Sequence, residues 1–178
     1  MSELPVDYRV AQAVGLAGSA WLAGNIASYS LSVVPSLSQH HKDGQLSTSQ
    51  ATKLWATLYN HGKTQNPPIS VLTASGYLYL AWSVRSGSSL YQLVSPNASA
   101  LYSTAAIIVM SIVPFTLIGM ISTNNALHEK ANTAPDAMSG ENPAVEVQGL
   151  LQSWTSLNAV RSLLPLAATL VGIFASVG

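Results

Sequence analysis

Apolar residues along this chain gather into long blocks separated by short polar stretches. A helix needs about 20 apolar residues to cross a bilayer core. Four stretches meet or approach that length, at about residues 10–34, 68–85, 100–122 and 154–177. The first is rich in small residues (Gly15, Gly18, Ser19, Ala23, Gly24), the composition that lets membrane helices approach closely. Asn25, Ser28 and Ser32 form a polar stripe on it at spacings of 3 and 4, and Pro35 is expected to end it. The polar residues 36–48, with His40, His41, Lys42 and Gly44, read as a loop.

From Ser49 the period changes. Ala51, Leu54, Trp55, Leu58 and Tyr59 recur at i, i+3, i+4, i+7 and i+8, which predicts a short amphipathic helix lying on the membrane as a lid. It is expected to stop at His61-Gly62, ahead of a turn at Asn66-Pro67-Pro68, and its Trp55 and Tyr59 read as packing residues. The second stretch is the shortest, and an interfacial helix is its alternative reading. Residues 86–99 read as a loop, the third stretch should kink at Pro114, residues 131–143 read as a polar loop, and 144–153 as a helical lead-in to the last stretch. The expected fold is a single all-α domain, an integral membrane four-helix bundle with a short amphipathic helix between spans 1 and 2. An uncleaved first span is favoured over a signal peptide. The leader sets Glu3 and Asp7 against Arg9, and the apolar run continues to Val34, beyond a signal-peptide core of roughly 7–15 residues.

Composition sharpens this picture. Charged residues are 8% of the 178, against about 25% in ordinary soluble proteins, and mean hydropathy is +0.31. Net charge is zero without a basic patch, which leaves nucleic acid no electrostatic footprint to bind. Cysteine is absent, excluding disulfides, thiolate metal sites and cysteine nucleophiles. There is no dinucleotide fingerprint, P-loop, H-E-x-x-H or facial-triad spacing, so neither a cofactor nor a metal is expected.

With four spans, Lys42, Lys53, Lys63 and Lys130 share one side and Arg9 and Arg85 the other, so the lysine side is expected to face the cytoplasm. All four histidines, Asn124, Asn125, Ser28 and Ser32 fall toward that same side. The last stretch brings Trp154, Asn158 and Arg161 to it, at spacings of 4 and 3 on one helix face. Arg161 lies roughly 10 Å along the helix axis from Trp154. A charge inside hydrocarbon costs roughly 2.5–3.5 kcal/mol near a bilayer centre, so Arg161 either snorkels to head groups or meets inward-facing partners.

Several motifs now stand together: Pro114-Phe115-Thr116; Thr123-Asn124-Asn125-x-Leu127; and Trp154-x3-Asn158-x2-Arg161-x3-Pro165. With Trp55-x3-Tyr59-x2-Gly62 and the Ser28/Ser32/Pro35 exit of span 1, they resemble the fungal anthrone oxygenase family over about residues 12–175. The resemblance implies a four-span protein of polyketide secondary metabolism, multi-pass in the endoplasmic reticulum or another endomembrane. It implies oxidation of a lipophilic anthrone to an anthraquinone by O2 without a cofactor. It carries over Asn124, Asn125, Trp154, Asn158 and Arg161 as site residues and matches no histidine.

The residue types suit such a reaction. A base takes a proton from the acidic methylene, and His61 or His128 is the candidate because each flanks a span. Arg161 would stabilise the enolate oxygen, with Asn158 and Asn124 orienting it or the substrate. Trp154 could stack on the flat rings, and Asn125, Ser28 and Ser32 would line the pocket. The alternative is a non-catalytic four-span scaffold or accessory protein of a biosynthetic pathway, in which Arg161 and Asn158 tie helices together.

Overall fold

A computed structural model describes residues 4–133 and 142–178, and among them all regular structure is helical. Helix α1 (Val6–Ser28) passes into a π-helical turn at Tyr29–Val33 and then into α2 (Val34–Lys42). Helix α3 spans Thr48–Ser83, and a short 3₁₀ turn at Tyr91–Leu93 leads to α4 (Ala98–Met110). A single turn, α5 (Ile112–Pro114), then a second π-helical turn at Phe115–Gly119 and α6 (Ile121–Asn132) continue the chain. Helix α7 (Pro143–Val177) combines the lead-in and the last apolar stretch.

Two expectations need correction here. Pro35 does not end the first helix. It follows directly on the π-helical turn at Tyr29–Val33, whose altered hydrogen-bond register accommodates a residue without an N–H, so the helix runs on through His40 and His41. Nor do Gly62 and Asn66-Pro67-Pro68 break α3, which joins the expected amphipathic helix and second span into 36 residues. Proline's fixed φ fits a helix, and the chain accommodates both rings within it. The cost of two missing donors is met by fully buried side chains on either side, Trp55 before them and Tyr77 and Leu80 after. The regular α-helix is interrupted near Pro114: α4 ends at Met110, and a π turn occupies Phe115–Gly119. Most of the loop expected at 131–143 lies outside the described residues.

Two helical stretches, Ala98–Gly119 and Pro143–Val177, are long and apolar enough to cross a membrane, and 28% of each apolar window is buried. Among the described residues no other helix passes that test. Gly, Ala, Ser and Asn dilute α1, and the polar first half of α3 dilutes that helix.

The chain divides into two compact units. The first comprises the chain up to Gly24, Asn66–Val113 and Ser162–Gly178. Its interior is built on buried tyrosines. Tyr77 shares a 2.9 Å hydrogen bond with Ser19 and donates to the Ala168 carbonyl, and its ring stacks on Tyr102. The Tyr102 hydroxyl meets Tyr8, Gln12 Nε2 and Ser176 Oγ at 3.0–3.3 Å. Glycines permit this approach: a Cβ at Gly18 would stand 2.1 Å from Thr73 Oγ1, and one at Gly172 2.6 Å from the Tyr77 hydroxyl.

The second unit comprises Asn25–Gln65 and Pro114–Arg161. Val34, Leu37, Trp55, Met120, Leu127, Leu151 and Trp154 form its core. Polar ties secure its periphery. Lys130 pairs with Glu146 at 2.6 Å, Gln148 donates to Ser38 at 2.6 Å, and buried His41 lies between Gln148 and Thr48.

Candidate functional site

Every residue singled out from the sequence for chemistry falls in the second unit. Helix α7 presents Trp154, Asn158 and Arg161 on one face, as their spacing predicts. Asn158 is fully buried. Its Nδ2 donates to the Ile26 carbonyl at 2.8 Å and to Ser30 Oγ at 2.7 Å, and its Oδ1 accepts from Arg161 Nη2 at 2.6 Å. Those partners fix the amide orientation, since only the NH2 can donate to a carbonyl and only the oxygen can accept from a guanidinium. Arg161 Nη1 donates to Thr116 Oγ1 at 3.0 Å, while its buried Nε–H has no partner. The guanidinium is therefore held by neutral oxygens, with no carboxylate among these hydrogen-bond partners.

Both π-helical turns serve this pair. Ser30 lies in the first and Thr116 in the second. A π turn inserts an extra residue into the helical repeat and rotates the next stretch of helix, which is why such turns recur at functional sites. The buried register of the helix corrects the expected stripe: Leu22, Ile26, Ser30 and Val34, each four residues apart, face inward. Ser28 bonds back to the Asn25 carbonyl, Ser32 is exposed, and Ser30 between them is the serine that faces Asn158.

An aromatic cluster adjoins them. Trp154 Nε1 donates to buried Asn124 Oδ1 at 3.0 Å, and the Trp154 ring meets Trp55 edge-on at 5.9 Å. Trp55 and Tyr59, one turn apart on α3, stack at 5.3 Å, and His128 from α6 packs against both at 5.0 and 4.9 Å. Trp55 Nε1 is buried without a partner.

Burial, and after it the positive charge of Lys63, holds the His128 imidazole below its ordinary pKa. His61, the other candidate base, is exposed on α3, and Asn125 is exposed on α6. Among the described residues no group of three or more histidine and carboxylate side chains is placed to hold a metal.

The chain thus joins Arg161, Asn158, Trp154, Asn124 and His128 in one unit's interior and leaves Ser28, Ser32, Asn125 and His61 out of it. The sequence reading misses Ser30 and Thr116 and underrates Trp55 and Tyr59. Thr116 stands inside the Pro114-Phe115-Thr116 motif, and Trp55 and Tyr59 define another. Ser30 lies four residues after Ile26 and four before Val34, an apolar stripe whose spacing is its signal.

The family model described as Anthrone oxygenase matches residues 55–171, a span running from Trp55 past Arg161. The chain belongs to the anthrone oxygenase family. Among its curated relatives, the anthrone oxygenase encC of Aspergillus fumigatus is 34% identical over 172 residues, covering 92% of this chain and 90% of that protein. The anthrone oxygenase of Claviceps purpurea is 31% identical, covering 89% and 84%. The anthrone oxygenase nsrD of Aspergillus novofumigatus is 33% identical, covering 90% and 89%. No solved structure matches the chain. All side chains of the Arg161 cluster except Ser30 lie within the matched region.

Proposed function

We propose that this protein is a membrane-bound anthrone oxygenase, oxidising an anthrone-type aromatic polyketide to an anthraquinone with O2 and no cofactor, in fungal secondary metabolism. The observation that carries this reading is Arg161, tied by two hydrogen bonds to neutral side chains and keeping a buried N–H unfilled. A cation without a carboxylate partner is arranged for an anion that arrives, and the enolate of an anthrone is such an anion.

The reaction follows from that assignment. His128, neutral at physiological pH, takes a proton from the methylene opposite the carbonyl, and the negative charge spreads through the rings to the carbonyl oxygen facing Arg161. The electron-rich anion passes one electron to O2, and the two radicals combine into a carbon–oxygen bond. Protonation gives a hydroperoxide. Loss of the second methylene proton with cleavage of the O–O bond then releases water and leaves the new carbonyl. Overall, one anthrone and one O2 give one quinone and one water. Half-buried Tyr59, backed by buried Trp55 and Trp154, supplies aromatic surface for a flat substrate.

The reading places four spans in an endomembrane, at about residues 10–34, 68–85, 100–122 and 154–177. Its support is the apolar surface left uncovered on all four: Leu31, Leu72, Trp82, Ile107, Ile118 and Phe174 are each at least 60% exposed. Most of the apolar windows of α7 and of the Ala98–Gly119 stretch are likewise uncovered, unlike the core helix of a water-soluble protein.

A scaffold is the second reading, favoured by the buried ties from Asn158 to Ile26 and Ser30. One experiment separates the two. Membranes containing the protein are incubated with an anthrone under O2, without added metal or flavin. Quinone formation above the spontaneous rate, lost in Arg161→Ala, supports the oxygenase. A spontaneous rate in both, with Arg161→Gln failing to accumulate, supports the scaffold.

A further inference from the structure

The second unit contains two tryptophans that meet edge to face, and their indole N–H groups are treated differently. Trp154 is given an acceptor, Asn124 Oδ1. Trp55 is 0% exposed, and its Nε1–H has none. Burying an indole donor without an acceptor costs stability, and a phenylalanine would fill much of the same space without that cost. The unfilled donor lies in the cluster formed by Tyr59, His128 and Trp154, the same unit interior that holds the unfilled Arg161 Nε–H.

We propose that Trp55 is a substrate-contacting residue whose indole N–H donates to a second oxygen on the aromatic ligand, distinct from the carbonyl oxygen that meets Arg161. This rests on the oxygenase reading and narrows its substrate. We take the second oxygen to be a ring hydroxyl, and Trp55 to be the residue that distinguishes anthrones by it. A site with a buried donor discriminates against an analogue lacking the matching oxygen, because the analogue leaves that donor unpaired in the complex as well. The lid helix expected from the sequence is then part of the recognition surface, with Tyr59 stacked beside the donor.

The test compares two anthrones, one unsubstituted and one with a single hydroxyl next to the carbonyl, in membranes bearing the wild-type protein or Trp55→Phe. The quantity read is the ratio of kcat/KM for the two substrates after subtraction of spontaneous oxidation. Differences in intrinsic reactivity cancel between the proteins, and the ratio does not depend on how much of each protein is folded. The expected result is a wild-type preference for the hydroxylated anthrone that falls about tenfold or more in Trp55→Phe. Replacing Trp55 with benzothienylalanine, which keeps the shape of indole and lacks its N–H, should give the same fall and serves where the phenylalanine variant does not accumulate. An unchanged ratio in the variants, or no preference in the wild type, overturns the role of Trp55 and leaves the oxygenase reading standing. Oxidation of neither anthrone by the wild type overturns both.

Discussion

Arg161 donates from Nη2 to Asn158 Oδ1 at 2.6 Å, and Asn158 directs its own amide protons to Ile26 and Ser30. The arginine is therefore anchored through a neutral relay to the first helical segment, and its charge is not cancelled. Arg161→Lys keeps the charge and loses the planar fork that reaches Asn158 and Thr116 together. Its anthrone turnover should fall by about 10²-fold or more, the scale of losing one preorganised donor. Quinone formation at matched protein levels checks this, and a lysine variant with full activity would remove Arg161 from the site.

Asn158→Leu deletes the relay. The Ile26 carbonyl loses its side-chain donor, and Arg161 keeps its bond to Thr116. Breaking three buried bonds should cost about 3 kcal/mol or more of stability. Thermal unfolding in detergent should show a clear drop in Tm, with less drop in Asn158→Gln, which keeps the amide.

Ser30 and Ser28 offer a test of which face of the first helical segment packs inward. Ser30 is buried and accepts from Asn158, whereas Ser28 bonds back within its own helix. Ser30→Ala should destabilise by about 1 kcal/mol, and Ser28→Ala by less than about 0.5 kcal/mol. The reverse order would mean that the Asn25/Ser28/Ser32 face of this helix, and not the Ile26/Ser30 face, packs inward.

The acid limb of activity should report His128. Burial and Lys63 hold its pKa below the ordinary value, so the imidazole is already neutral near pH 7 and activity should fall only below about pH 6.5. Lys63→Gln removes a positive charge that disfavours the imidazolium. The pKa then rises and the limb moves to higher pH. A pH–rate profile that does not respond to Lys63→Gln, together with an active His128→Gln, would assign the proton to another group.

In the first unit, Gly18 and Gly172 stand where helices touch. A Cβ would meet Thr73 Oγ1 at 2.1 Å or the Tyr77 hydroxyl at 2.6 Å, and Thr73 and Tyr77 are both buried. Gly18→Val and Gly172→Val should each destabilise by about 1–3 kcal/mol, as overpacking does. The corresponding changes at Gly24 and Gly149, which face open space, serve as controls for the loss in detergent Tm.

The sequence by itself determined helical class, the apolar stretches, the close-packing glycines and the alignment of Trp154, Asn158 and Arg161. Those come from composition and from the fixed 3.6-residue repeat of an α-helix, which is local. It could not place Ser30, because the Asn25/Ser28/Ser32 face and the Leu22/Ile26/Ser30 face both have helical spacing and only tertiary neighbours decide which one packs inward. It could not foresee α3 running through Pro67 and Pro68, because burial of Trp55 and Tyr77 outweighs a local breaking signal. Nor could it choose between His61 and His128, which have the same chemistry on the same side of the chain's apolar blocks. Tertiary packing placed His128 between Trp55 and Tyr59 and left His61 in the open. It also left one indole and one guanidinium N–H buried without a protein partner, a fact that depends on three-dimensional neighbours and that no spacing along the chain encodes.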